Sequence, residues 1–452
     1  MAWGMSFEIK LISIVGLAAC SSAGADDATA TARLNDLVPS VAVVSWSSPS
    51  AARVRVEYGP DTRYGFTTPR TELAAKAHEI DVIGFPASSE LHFRVVVSTE
   101  AGDVAGDDHT LATNPEPAGL PSFELLHTDG EAWGSWTLVA YEQPGTDVSG
   151  VAVLDADAQP IWYWLDDRGS VPWATMSADR SEVVFLVDNH RFMETGPSFN
   201  VLSLDGRTYE TIPAPWAHHA VAQPDVAGVR FAYIAADFRE WNGEVVVGDG
   251  IVEVADDGSA REVWNAFDHL DVVVHEGWNS GSYDDGADWT HANGLFYDGD
   301  EGAYYLSLYY LGTVVKIDRA TGDTVWQLGG ADSDFTFVND RGFSHQHAPE
   351  VRGDELYVFD NGAGGEPSRA VGYTLDTDAW TATRIWAWET AEESRAAVLG
   401  DVDLLPGDQF LSAWGDVGQV NVTGHDGTLH LSMDVDPGVI IGKAARLDTL
   451  YP

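Results

Sequence analysis

Cysteine is all but missing from this chain, with one residue, Cys20, among 452. A lone thiol forms no internal disulfide, and its place near the N-terminus leaves none for catalysis or metal binding in the rest of the chain. Positive charge is scarce as well. Lys and Arg number 24 against 71 Asp and Glu, a formal net charge of −47. A field of that sign repels nucleic acid and anionic membrane surfaces, so neither is an expected partner. The acidity reads as a solvated anionic surface, because no ligand cluster supports a cation-binding one. Beyond the first twenty residues no stretch is apolar enough to cross a bilayer, and helical periodicity is nearly absent. What is present is a 44% hydrophobic chain rich in period-two alternation. That is enough for a large core and points to an all-β fold.

Residues 1–20 combine Lys10 with the short apolar stretch "LISIVGLAAC". They read as an export signal, and "LAAC" resembles the bacterial lipobox, whose Cys becomes the lipidated N-terminus. The expectation is a signal peptide over 1–20, a linker over 21–28 and a lipid anchor at Cys20, with the protein exported to the cell envelope at the outer membrane. Residues 29–115 alternate in runs such as "VAVVSW" and "ARVRVEYG" and resemble a small fibronectin type III sandwich. The Pro-rich "NPEPAGLP" at 114–121 marks a boundary.

Over 121–452 one pattern recurs: a strand, a polar turn with Asp or Gly, then a strand that often carries Trp. Its instances begin at 153, 202, 252, 316, 373 and 422. A hairpin that cannot bury both faces alone does so by stacking around an axis, which predicts a six-bladed β-propeller with its Trp residues packed between blades. A seventh blade is left open near 265–290.

A propeller brings distant residues together at its axis, which changes the reading of the histidines. His218 and His219 in "PWAHHAV", His291 in "DWTHAN", and His345 and His347 in "FSHQHAP" each precede an apolar strand in successive blades. Any one alone reads as a structural, hydrogen-bonded His. Three groups at like positions suggest a ring of imidazoles suited to a metal or to anion transfer.

The order of "HH", "DWTHANGLFYD", "VVKIDRATGDTVWQLGG", "HQHAPEV", "LYVFDNG" and "SRAVGYTLD" resembles the bacterial arylsulfate sulfotransferases over 121–452. The resemblance implies a six-bladed propeller that moves a sulfuryl group from an aryl sulfate to a phenol through a covalent sulfohistidine, in ping-pong fashion and without metal or organic cofactor. By motif the nucleophile falls on His347, with His291 and His219 as supporting acid/base or oxygen-binding residues. Asn293, Arg369, His218 and His345 are candidate substrate-binding groups. The chain departs from the family where an Arg is usual after the "DWxHxN" strand: the position falls near Tyr309, with Arg369 or Arg341 as possible sources of charge. A propeller that binds ligand without transfer, a quinone-dependent oxidoreductase and a metal-dependent hydrolase remain as alternative readings.

Overall fold

The computed structural model describes residues 28–451 except 147, 178, 189–195, 276, 277, 279–282, 284, 285 and 391–393. The proposed signal peptide, Cys20 and nearly all of the linker lie outside the described residues.

Six four-stranded antiparallel sheets, three of them extended by a further strand, succeed one another from Trp136 to Leu447. Their innermost strands contact each other in a closed circle, giving a six-bladed propeller. Blade II begins with Ser170–Met176, blade III with Ala217–Ala222, blade IV with Ala292–Asp298, blade V with His347–Arg352 and blade VI with Asp401–Leu405. Blade I takes its inner strand from the far end of the chain, where Ile440–Leu447 pairs with Trp136–Glu142. A second tie runs the other way: Phe123–Thr128 adds a fifth strand to the outside of blade VI by pairing with Leu429–Val435. The ring is therefore fastened at both ends of the propeller sequence.

The recurring hairpin of the sequence is the outer two strands of each blade. Its turn chemistry is uniform. In all six, an Asp carboxylate accepts backbone N–H groups two to four residues ahead: Asp155, Asp205, Asp257, Asp318, Asp376 and Asp426. These Asx turns hold the tight reversal that lets the fourth strand return, so part of the chain's acidity is turn geometry.

Tryptophans pack as anticipated between blades. Trp162 of blade I donates its Nε1–H to the Leu204 carbonyl of blade II, Trp264 of blade III reaches Thr324 of blade IV, and Trp386 of blade V stacks on Phe410 of blade VI with ring centroids 4.0 Å apart. The described part of 265–290 is no seventh blade. It holds the short helix Ala266–His269 and the two-residue strand Ala287–Asp288, which pairs with blade III.

Residues 29–112 form two sheets that share one bent strand. Val41–Gly59 pairs through its first half with Thr29–Leu34 and Ala75–Ile83, and through its second with Glu90–Thr99. Trp46, Val56, Ile80 and Phe93 fill the core between them. This unit is packed firmly on the propeller. Val38, Val41 and Ile83 join the apolar cluster of Trp162, Leu202 and Leu204, and Asn35 donates to the carbonyls of Asp205 and Gly206.

Candidate active site

The histidines stand where inner strands of blades III, IV and V begin, and in each case the ladder is interrupted. Register shifts fall between His218 and Val221, Ala292 and Gly294, and His347 and Glu350. Bulges of this kind re-aim side chains out of the strict alternation of a strand. The backbone is also left-handed at His219 (φ 59°), His291 (φ 46°), His345 (φ 54°) and Ala348 (φ 46°). For non-glycine residues that costs roughly 1–3 kcal/mol each, and such strain concentrates where function fixes a geometry. Gly294 does what no other residue would: a Cβ there would lie 2.6 Å from the Ala348 nitrogen and from Pro349 Cδ. Its lack of a side chain lets the "DWTHANG" turn abut the residues that follow His347.

The result is a compact imidazole group. Ring centroids of His219 lie 4.9 Å from His291 and 6.4 Å from His347, and Tyr309 sits 5.4, 4.6 and 5.7 Å from His291, His345 and His347. Tyr310 adds a further ring, 5.2 Å from His291 and 5.1 Å from Tyr309. The wall around the imidazoles is aromatic, as suits an aryl ligand.

The ring nitrogens of His347, His291 and His218 are held by specific partners. His347 is buried, and its Nδ1 lies 2.8 Å from Asn361 Oδ1. Asn361 gives its amide hydrogens to the carbonyls of Ala396 and Leu399, so its oxygen must accept and His347 must donate from Nδ1. Nε2 then carries the lone pair. Burial pushes the His347 pKa down to about 3, with smaller contributions from His291 and His345 in the same sense and the hydrogen bond to Asn361 opposing, so the ring is neutral at physiological pH. His291 is fixed by Asp288, 2.7 Å from its Nδ1.

His218 donates from Nε2 to Asp249 Oδ1 at 2.9 Å, and its Nδ1 lies 2.8 Å from Nδ1 of His219. Burial alone would lower the His218 pKa; the Asp249 carboxylate reverses this and holds it above the ordinary histidine value. Asp249 in turn accepts from Thr290 Oγ1 and the Ala292 N–H, both at 2.6 Å, and so ties blade III to the turn bearing His291. Burial pushes the Asp249 pKa up, but His218 and these donors hold it below the usual carboxylate range.

Two expected substrate contacts are otherwise engaged. Arg369 donates from Nε to Asp360 and from both terminal nitrogens to Asp340, with a further bond to the Gly342 carbonyl. Because Asp360 also accepts from the Ser344 N–H, this guanidinium braces the loop that delivers His345 and His347 rather than holding an anion. Arg341 is paired with Asp360 and Glu366. Asn293 spends its amide donor on the Gln346 carbonyl, also a bracing contact, while its Oδ1 is buried without a hydrogen-bond partner among the described residues. Tyr309 places a phenol beside His291, His345 and His347. Among the described residues no group of three or more His, Cys, Asp or Glu is arranged to hold a metal ion.

The geometry defines a class: a six-bladed propeller whose axial residues from three blades gather imidazoles within an aromatic wall. The chain belongs to the arylsulfotransferase (ASST) family, whose model matches residues 127–431, most of the propeller but not the inner strand of blade I. No curated protein sequence matches it significantly. Similar solved structures include a protein of unknown function from Bacteroides caccae (12% identity, TM-score 0.40, covering 69% of this chain and 98% of that one). A putative 6-phosphogluconolactonase from Bacteroides fragilis (13%, TM-score 0.38, 88% and 98%) and a catalytically inactive variant of virginiamycin B lyase from Staphylococcus aureus (11%, TM-score 0.38, 69% and 88%) are further examples.

Proposed function

We propose that the protein transfers a sulfuryl group from an aryl sulfate to a phenolic acceptor through a sulfohistidine on His347. The observation that carries this reading is the fixed tautomer of His347, a buried neutral ring with Nδ1–H committed to Asn361 and Nε2 bearing its lone pair beside two further imidazoles. A desolvated neutral imidazole is a competent nucleophile, and burial keeps it so well below neutrality. Nε2 attacks sulfur; the N–S bond forms as the S–O(aryl) bond breaks, and the aryl oxygen leaves with the bonding pair and takes a proton from a neighbouring histidine. The acceptor phenol then reverses each step, returning its proton and restoring His347. Nothing else is consumed. A phenolate of pKa about 10 is a poor leaving group, so that proton matters.

Family membership and the aromatic wall favour this over a propeller that binds without transfer. Incubation with an aryl sulfate should add about 80 Da to the intact protein, and a phenol should remove it. Absence of the adduct in the native protein leaves only the binding reading. We further propose export and lipid anchoring at Cys20, supported by "LAAC"; metabolic labelling with a fatty acid should mark the native chain and not Cys20→Ala.

A further inference from the structure

His218 is not positioned as a substrate ligand. It lies almost fully enclosed between a carboxylate on one side and a second imidazole on the other. Two ring-nitrogen lone pairs cannot face each other at 2.8 Å, so one proton lies between Nδ1 of His218 and Nδ1 of His219. That contact is satisfied with the proton on either ring. We propose that Asp249, His218 and His219 form a proton relay that supplies the acid for the departing aryl oxygen and, through a charged His218, replaces the cation that position 309 lacks. The inference rests on the sulfuryl-transfer reading above.

In the charged state His218 donates from both nitrogens, to Asp249 and to His219. His219, accepting at Nδ1, must carry its hydrogen on Nε2, the nitrogen remote from His218. When the S–O(aryl) bond breaks, Nε2–H passes to the aryl oxygen, the shared proton moves onto Nδ1 of His219, and His218 is left neutral with Nε2–H still on Asp249. The acceptor phenol returns the proton along the same path, so no proton is gained or lost over the cycle. His291 is oriented separately, its Nδ1 held by Asp288.

The charged groups around His218 agree with this assignment. Asp249 faces it from its own blade, and Asp188 of blade II and Asp288 before blade IV act in the same sense; its described ring neighbours include His219 and Tyr283, the latter at 6.5 Å. All three carboxylates favour the imidazolium.

The relay is tested by leaving-group dependence, using phenyl sulfate and 4-nitrophenyl sulfate as donors to the full protein. His218→Gln should lower transfer from both, but from phenyl sulfate about 100-fold more, because only the poorer leaving group needs the proton. Asp249→Asn, which removes the counter-charge, should move the alkaline limb of kcat/KM to lower pH by about one unit or more. Equal slowing of both donors, with an unmoved pH profile in Asp249→Asn, overturns the relay while leaving sulfuryl transfer intact. Failure of the native protein to take up the sulfuryl group from either donor removes both.

Discussion

The two halves of the inner ring are built from the same element, the first strand of a blade, yet they handle polar groups in opposite ways. Blades VI, I and V meet around Lys443, which donates to Asp401 at 2.8 Å and to Asp403, lies over the Trp173 ring at 4.9 Å, and has Glu350 beside it accepting from the Leu404 N–H. Burial raises Asp401 to about 7 against the pull of Lys443, and burial with Asp403 raises Glu350 well above its usual value. That half is a knot of mutually cancelling charges. In blades IV and V, His291 and His347 each have Nδ1 held by a single carboxylate or amide, whereas His218 of blade III is engaged at both nitrogens. The difference is between one buried cation shared among several carboxylates and single hydrogen bonds, which orient a ring.

The comparison breaks first at the nucleophile. His347→Ala should lower sulfuryl uptake by at least about 1,000-fold and abolish the mass adduct, measured by intact-protein mass spectrometry. Lys443→Met should strike the other half, costing about 3–5 kcal/mol of unfolding free energy by leaving buried carboxylates unpaired, with the rate per folded molecule unchanged; a large rate loss would mean that the charge knot takes part in the reaction. His291→Ala should slow transfer about 100-fold without preventing the adduct.

A subtler effect concerns acid stability. The folded pKa of His347, about 3, lies below an unfolded value of about 6.5, so between those limits the unfolded chain binds a proton that the native one refuses, and stability falls as the pH falls. In His347→Gln the drop between pH 7 and pH 5 should shrink by about 2 kcal/mol, read from urea melts. Smallest is Tyr309→Phe, expected to cost less than about tenfold in kcat/KM, because the ring is what the three imidazoles contact.

The blades were legible in the sequence because each repeats one hairpin with one Asp-held turn, a local pattern. The histidines were legible because they precede those blades at like positions. Their partners were not. Asp249 lies 31 residues from His218, on another strand, and Asn361 lies 14 from His347, just past the end of the next strand, and nothing local links them. Asp288, three residues before His291 in the quoted motif, was within reach of such reasoning. Arg369 and Asn293 look like anion ligands in sequence because their donors suit that task. The neighbouring Asp340, Asp360 and Gln346 carbonyl compete for those donors and win, a contest decided by the path of the 340–346 loop. The tie between the two ends of the propeller was equally hidden, since neither end strand carries the repeat.

That tie has a bearing on how the molecule is made. The inner position of blade I is filled by Ile440–Leu447, so a ribosome that has delivered five blades has not yet closed the wheel. Until the last segment emerges, Trp136–Glu142 presents an unzipped flank, and the three imidazole-bearing spokes have no finished hub to hold them in register. The reactive ring would therefore be completed only after the segment Ile440–Leu447 has been made and has paired with Trp136–Glu142.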